Sequence, residues 1–290
     1  LKTLKPFAYH TPETVKDAAG LLEQYGGTAK VFAGGTDIMV MLRDRIISVD
    51  NIIDIKKIPG LRGIEWNPAT GLHIGALTTI TDIVESAVVL EKYPSLKKSA
   101  EVLGSPQVRN KATIGGNICR SSPSADTPPS LIAFDAVVTI GGVNGERTVP
   151  IGEFFTGPGR NVLDKELVTG ITLPAIKGAY GTAFGKISRV SEDLSKVNCA
   201  VVLKMTDKTC SDIRVVLGAV GATPVRAKNV EGVLRGQVVT DELIEKAADK
   251  VTEDIKPIDD IRSTAAYRNK VGRVLIKRLV KEALEDCGVK

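Results

Sequence analysis

Histidine is nearly missing from this 290-residue chain, with only His10 and His73 present. Neither lies near a serine or cysteine in a nucleophile's context, so a Ser/His/Asp hydrolase is not expected. His73, in Leu72-His73-Ile74-Gly75, alternates with apolar neighbours and reads as the solvent-side residue of a strand. Cysteine is sparse as well. Cys119, Cys199, Cys210 and Cys287 form no C-x-x-C pair and have no histidine beside them, which argues against a metal or iron–sulfur site in this chain and against a disulfide framework. Aromatic residues make up 4% of the chain and the net charge of +5 is spread along it, so the stacking platform and basic patch of a nucleic-acid binder are poorly supplied. No apolar run reaches the roughly 18 residues of a membrane-spanning helix, and Leu1–His10 lacks the apolar core of a signal peptide, so a cytoplasmic protein is expected. What is present, 43% hydrophobic and 25% charged residues, is the composition of a globular protein long enough for two cores.

Thr11 as N-cap and Pro12 in the first turn, followed by the stripe Val15, Ala18, Ala19 and Leu22, predict a first helix ended by Gly26-Gly27. Lys30–Ala33 reads as a short strand. It runs through Gly34-Gly35 and Thr36-Asp37 into an apolar segment, 38–42, of helical character. A β segment at 51–55, a hairpin over 64–76 turning at Asn67–Gly71, and helices near 79–91 and 95–103 follow. From Gly104 to Pro129 the chain is rich in Gly, Ser, Pro, Asn and Thr, which reads as a long functional loop. Strands are predicted again at 136–140, 146–150 and 167–173, then at 182–188, 197–205 and 213–220. The C-terminal third is largely helical and closes with a stripe of Tyr267, Val271, Val274, Leu275, Leu279, Ala283 and Leu284. Pro174 and Gly178 mark a boundary between domains at 1–176 and 177–290.

The sharpest local features are Ala33-Gly34-Gly35-Thr36-Asp37 and Thr113-Ile114-Gly115-Gly116-Asn117, two small-Gly-Gly-polar turns some 80 residues apart. Glycine pairs let backbone N–H groups converge on an anion, and flanking Thr or Asn side chains add donors, so two such turns could clamp a pyrophosphate. Neither matches G-x-G-x-x-G or the P-loop pattern. Each could equally be a tight turn with no ligand.

These two motifs, with Gly104-Ser105-Pro106-Gln107-Val108-Arg109-Asn110, Ser124-Ala125-Asp126 and Phe184-Gly185-Lys186-Ile187-Ser188-Arg189, resemble the FAD-binding medium subunit of the molybdenum hydroxylases, the xanthine dehydrogenase and carbon monoxide dehydrogenase family. The likeness spans essentially the whole chain. It implies an α+β fold of the vanillyl-alcohol-oxidase/PCMH type, in which two subdomains grip FAD and a C-terminal domain of a small antiparallel sheet plus helices follows. Carried over residue by residue, Val31, Phe32, Ala33, Gly34, Gly35, Thr36, Asp37 and Ile38 would wrap the diphosphate and adjoining ribityl region. Thr113, Ile114, Gly115, Gly116 and Asn117 would form a second wall. Asp126 matches a position that contacts FAD, Leu103 and Val168 match apolar positions lining it, and Lys186 matches a lysine near the flavin ring. From the residues alone, Lys186 could be an exposed strand residue, Asp126 a helix cap, and Leu103 and Val168 plain core. Arg109 and Asn110 could serve the pyrophosphate or only brace their loop. Cys119 reads as a small buried hydrophobe.

The resemblance further implies that the flavin carries the redox chemistry with no side chain acting as a nucleophile. Electrons would come from a molybdenum cofactor in a large partner subunit through [2Fe-2S] clusters of a small one, and leave to an external acceptor such as NAD, within a hetero-oligomer. Two other readings stay open: an FAD-free subunit that braces the same kind of complex, and a stand-alone flavin oxidoreductase.

Overall fold

The computed structural model describes residues 4–288. Near the N-terminus, Ala8–His10, Asn51–Asp54 and Ala29–Phe32 pair in that order as a parallel three-stranded sheet. Parallel strands need crossovers, and helix Val15–Tyr25 carries the chain from edge strand Ala8–His10 to the opposite edge, Ala29–Phe32. That helix starts three residues later than Thr11-Pro12 predicts. Thr14 is its N-cap, and the Thr14 hydroxyl accepts from the Asp17 N–H at 3.0 Å.

A five-stranded antiparallel sheet follows, ordered Ile64–Asn67, Gly71–Gly75, Leu167–Leu173, Val137–Gly142, Gly145–Pro150. Its last strand in sequence, Leu167–Leu173, lies in the middle and is buried along nearly its whole length. The segment between the two halves of this sheet packs over it as short helices, so Leu96, Ile114, Ile118, Leu131 and Phe134 share one core with Leu72, Ile74, Val138 and Ile171.

The polar stretch 104–129 is not a loop. It forms helices Pro106–Arg109 and Ile114–Arg120 and leads into Thr127–Ala133. Its serines, threonines and prolines are helix-start signals: the Ser105 hydroxyl accepts from Val108 N–H and the Thr113 hydroxyl from Gly116 N–H, with proline in the first turn of the first and third helices.

Beyond Leu173, strands Tyr180–Ile187, Val197–Thr206, Thr209–Gly218 and Val225–Arg226 form an antiparallel sheet. Both faces are covered, which is why Val197–Leu203 is an unbroken buried run rather than an alternating one. Ala200 and Val202 face the first core, while Cys199, Val201 and Leu203 face a second core closed by helix Ala265–Asp286. That helix buries Gly272, Leu275, Ile276, Leu279, Val280 and Ala283; of the predicted stripe, Leu275, Leu279 and Ala283 are in this set and Val271 and Leu284 pack against the same core. Tyr267 is exposed, and Arg268 is buried in its stead, donating to Ala219 O at 2.6 Å and to Asp260 Oδ2 at 2.7 Å. Among the described residues, no helix is long and apolar enough to cross a membrane.

Candidate functional site

The carboxyl end of Ala29–Phe32 opens into Ala33–Asp37 and then helix Ile38–Arg43, at the end of a parallel sheet where ligands of open α/β sheets gather. Gly35 turns the chain at φ +80°, a conformation that favours glycine. The carbonyls of this turn are used, Gly35 O accepting from Met39 N–H at 3.1 Å and Asp37 O from Met41 N–H at 3.0 Å. Its donors are not. Among the described residues, the N–H groups of Gly34, Gly35, Thr36, Asp37 and Ile38 meet no protein acceptor. These five residues line a cleft of about 660 Å3, and a run of unpaired donors in a cleft is a site for an anion.

The second motif behaves differently. It occupies the N-cap and first turn of helix Ile114–Arg120, and four of its five backbone donors are spent inside the protein: Ile114 N–H on Thr78 O, Gly115 N–H on Ala76 O, Gly116 N–H on the Thr113 hydroxyl, and Asn117 N–H on Thr113 O. Two matched anion-binding turns are thus corrected to one open turn facing one packed helix end. The side chain of Asn117 is held by the Thr127 hydroxyl, which donates to Asn117 Oδ1 at 2.7 Å.

The glycines also have a reason the sequence did not reveal. A Cβ on Gly34 would stand 1.9 Å from Lys111 O, and one on Gly115 would stand 2.7 Å from Ala76 O. Both glycines sit where backbone meets backbone, Gly34 where the two walls join and Gly115 where its helix packs on the end of strand Gly71–Gly75. Their presence is therefore no argument by itself for a ligand; the unpaired donors of the open turn are.

Thirteen of the seventeen sequence-predicted positions border this cleft: Val31, Ala33, Gly34, Gly35, Thr36, Asp37, Ile38, Leu103, Thr113, Gly115, Gly116, Asn117 and Val168. Four do not. The Phe32 ring lies under Gly35, with the Lys56 ammonium 4.3 Å over its centroid. Ile114 is core. Asp126 and Lys186 lie behind the wall and bind each other at 3.0 Å, their side chains 7% and 5% exposed. The Lys186 ammonium also donates to Val102 O at 3.0 Å, next to cleft residue Leu103. The second oxygen of Asp126 accepts from the Ser195 hydroxyl at 2.6 Å and from Asn198 Nδ2 at 3.1 Å. Burial pushes the Asp126 carboxyl up, and Lys186, Ser195 and Asn198 pull against it. This network joins the strand–helix layers on either side of residue 176, instead of presenting a cation or a carboxylate to the cleft.

Arg109 braces its loop, donating to Leu103 O at 3.1 Å and Gly104 O at 2.9 Å. Cleft residues that sequence reasoning missed include Ala76, Leu77, Val108, Ala112, Arg120 and Asn161. Ala112 and Arg120 flank the second motif and Val108 lies in the Gly104–Asn110 segment, whereas Ala76, Leu77 and Asn161 reach the cleft through packing of distant segments. Cys119 also borders it, yet burial pushes its thiol up to about 12. Its thiolate is therefore scarcer at pH 8 than that of an ordinary thiol. Iodoacetamide at pH 8 is expected to leave the Cys119 peptide unmodified by mass spectrometry over a time that alkylates free cysteine fully; rapid labelling would show that the thiol is exposed.

Comparison with known proteins places this geometry. Residues 5–176 match the family model described as the FAD binding domain in molybdopterin dehydrogenase, and residues 182–283 match the CO dehydrogenase flavoprotein C-terminal domain. The carbon monoxide dehydrogenase medium chain of Hydrogenophaga pseudoflava is 36% identical over 97% of this chain and 98% of its own. A xanthine dehydrogenase FAD-binding subunit of Escherichia coli is 32% identical over 98% of both chains. The solved carbon monoxide dehydrogenase from Hydrogenophaga pseudoflava superposes with a TM-score of 0.95, covering 99% of this chain and 100% of that one at 36% identity. The α+β architecture of two subdomains around a cleft, followed by a sheet-and-helix C-terminal region, is the fold of that structure. The chain belongs to the FAD-binding medium subunits of the molybdenum hydroxylase family of oxidoreductases, alongside the carbon monoxide and xanthine dehydrogenase flavoprotein chains.

Proposed function

We propose that this chain holds FAD in the cleft between its two N-terminal subdomains and relays electrons from the iron–sulfur clusters of a small partner subunit to an external acceptor, NAD in the first instance. The observation that carries the reading is the run of unpaired N–H donors from Gly34 to Ile38 at the end of a parallel sheet, inside a cleft of about 660 Å3. When bound, the flavin supplies the redox chemistry, exchanging electrons between a one-electron cluster donor and a two-electron acceptor. The chain's own residues bind and orient it. The Gly34–Ile38 N–H groups would take the diphosphate, with Val31 and Ala33 leading into that turn. Thr113, Gly115, Gly116 and Asn117 would form the opposing wall, and Leu103 and Val168 the apolar lining. Phe32, Ile114, Asp126 and Lys186 would act from behind, as the packing that keeps the walls in register.

The test is acid-released flavin from the complex purified with its co-purifying chains. FAD near one per chain supports the reading, and stopped-flow reoxidation of that complex with NAD, a quinone or oxygen then identifies the acceptor. An intact molybdenum-containing complex without flavin would favour the bracing reading. Turnover by the isolated chain would favour a self-contained flavin oxidoreductase.

A further inference from the structure

The anion-receiving turn carries an anion of its own. Asp37 stands within the run of unpaired donors, and its carboxylate accepts from Arg120 Nε at 3.3 Å. Arg120 is the last residue of helix Ile114–Arg120, on the opposing wall. An arginine in a last turn already complements the helix carbonyls. Here, though, the guanidinium reaches across to a partner 83 positions away in sequence, between two residues that both line the cleft. Its Nη1 rests over Gly159, 3.7 Å from where a Cβ would stand there.

Among the charges lining the cleft, Arg120 is the cation that stands against Asp37. Lys30, Lys165 and Arg120 stand against Asp37, Asp164 and Glu166, and Glu166 is already paired with Arg147 at 2.6 Å. Without Arg120, the carboxylate of Asp37 would meet an incoming diphosphate of charge about −2 without its ion-pair partner. We propose that Arg120 is a positioning residue for FAD that acts by neutralising Asp37, so that the N–H row from Gly34 to Ile38 receives the diphosphate without like-charge repulsion. This inference rests on the FAD-binding reading above. It makes a distinctive claim, namely that the need for Arg120 disappears when Asp37 carries no charge.

The experiment is a fluorescence-quenching titration of FAD into the flavin-stripped complex at low ionic strength, with riboflavin as the phosphate-free probe. Both side chains are partly exposed, 43% for Arg120 and 62% for Asp37, so the variants are expected to keep the wild-type melting temperature. Arg120→Ala should weaken FAD roughly tenfold, with a smaller effect in 0.5 M salt and none on riboflavin. Asp37→Asn should bind FAD at least as tightly as wild type, and the double variant should return to within about threefold of it. Two results would overturn the inference while leaving the FAD reading intact: Arg120→Ala binding FAD like wild type, or the double variant staying as weak as Arg120→Ala. A wild-type complex that takes up no FAD would remove the FAD reading and this inference together.

Discussion

Gly34→Ala is expected to empty the cleft of flavin, dropping acid-released FAD from about one per chain to a small fraction of that. The reason lies in the backbone. The added Cβ would stand 1.9 Å from Lys111 O and 2.8 Å from Lys111 C, a peptide group that no rotamer change can move aside. The walls must separate, and overpacking of this kind costs at least the upper part of the usual range of about 1–3 kcal/mol. Lys111 lies two residues before the Thr113 cap, so the displacement passes directly to the opposing wall. Gly35 offers a second view of the same constraint. A Cβ there meets Phe32 Cζ at 2.7 Å, at a φ of +80° that side chains rarely adopt. Normal flavin content in a folded Gly34→Ala complex would mean that the wall separation set by this contact does not govern binding.

Asp126→Ala should cost the chain about 3–5 kcal/mol, because it leaves the Lys186 ammonium buried with Val102 O as its remaining partner. The Ser195 hydroxyl loses its acceptor at the same stroke, and Asn198 Nδ2 loses one of its acceptors while keeping Ala125 O. The network ties Asp126, on the segment leading into helix Thr127–Ala133, to the strands of the C-terminal sheet. Loosening between the two regions is therefore expected, visible as new proteolytic cleavage near residues 174–180 and a lower melting temperature of the complex. The charge-neutral double variant Asp126→Ala/Lys186→Met should recover much of the loss. Equal melting temperatures for wild type and Asp126→Ala would show that the pair contributes nothing to the junction.

How much of this was legible in the sequence varies with the kind of signal. Strands announce themselves locally. Leu167–Leu173 and Val197–Thr206 were visible as apolar β-rich runs, and the structure places strands there. Helix starts in 104–129 were equally present, as Ser105-Pro106, Thr113 and Pro128, but the glycine and serine content of the stretch masked them as loop composition. The final helix was legible both as a helix and, from Val271 to Leu284, in most of its core face, with Tyr267 the exposed exception. Beside Tyr267, Arg268 is buried on Ala219 O and Asp260, a partnership that hydrophobic periodicity cannot register.

The sequence by itself determined most of the elements and the two glycine motifs that mark the cleft, because these rest on side-chain period, turn chemistry and residue identity over a few neighbours, and the class of fold followed from the likeness of those motifs to a known family. Tertiary structure alone decided what each motif does. Thr113–Asn117 spends four of its five N–H groups on residues 76, 78 and 113, whereas Gly34–Ile38 keeps its own free, and nothing within either pentapeptide distinguishes them. It likewise took Lys186 and Asp126 from the cleft and gave them to each other, and brought Arg120 to Asp37. Hydrogen-bond satisfaction and charge pairing are properties of which distant segments meet, and that is settled only when the chain has packed.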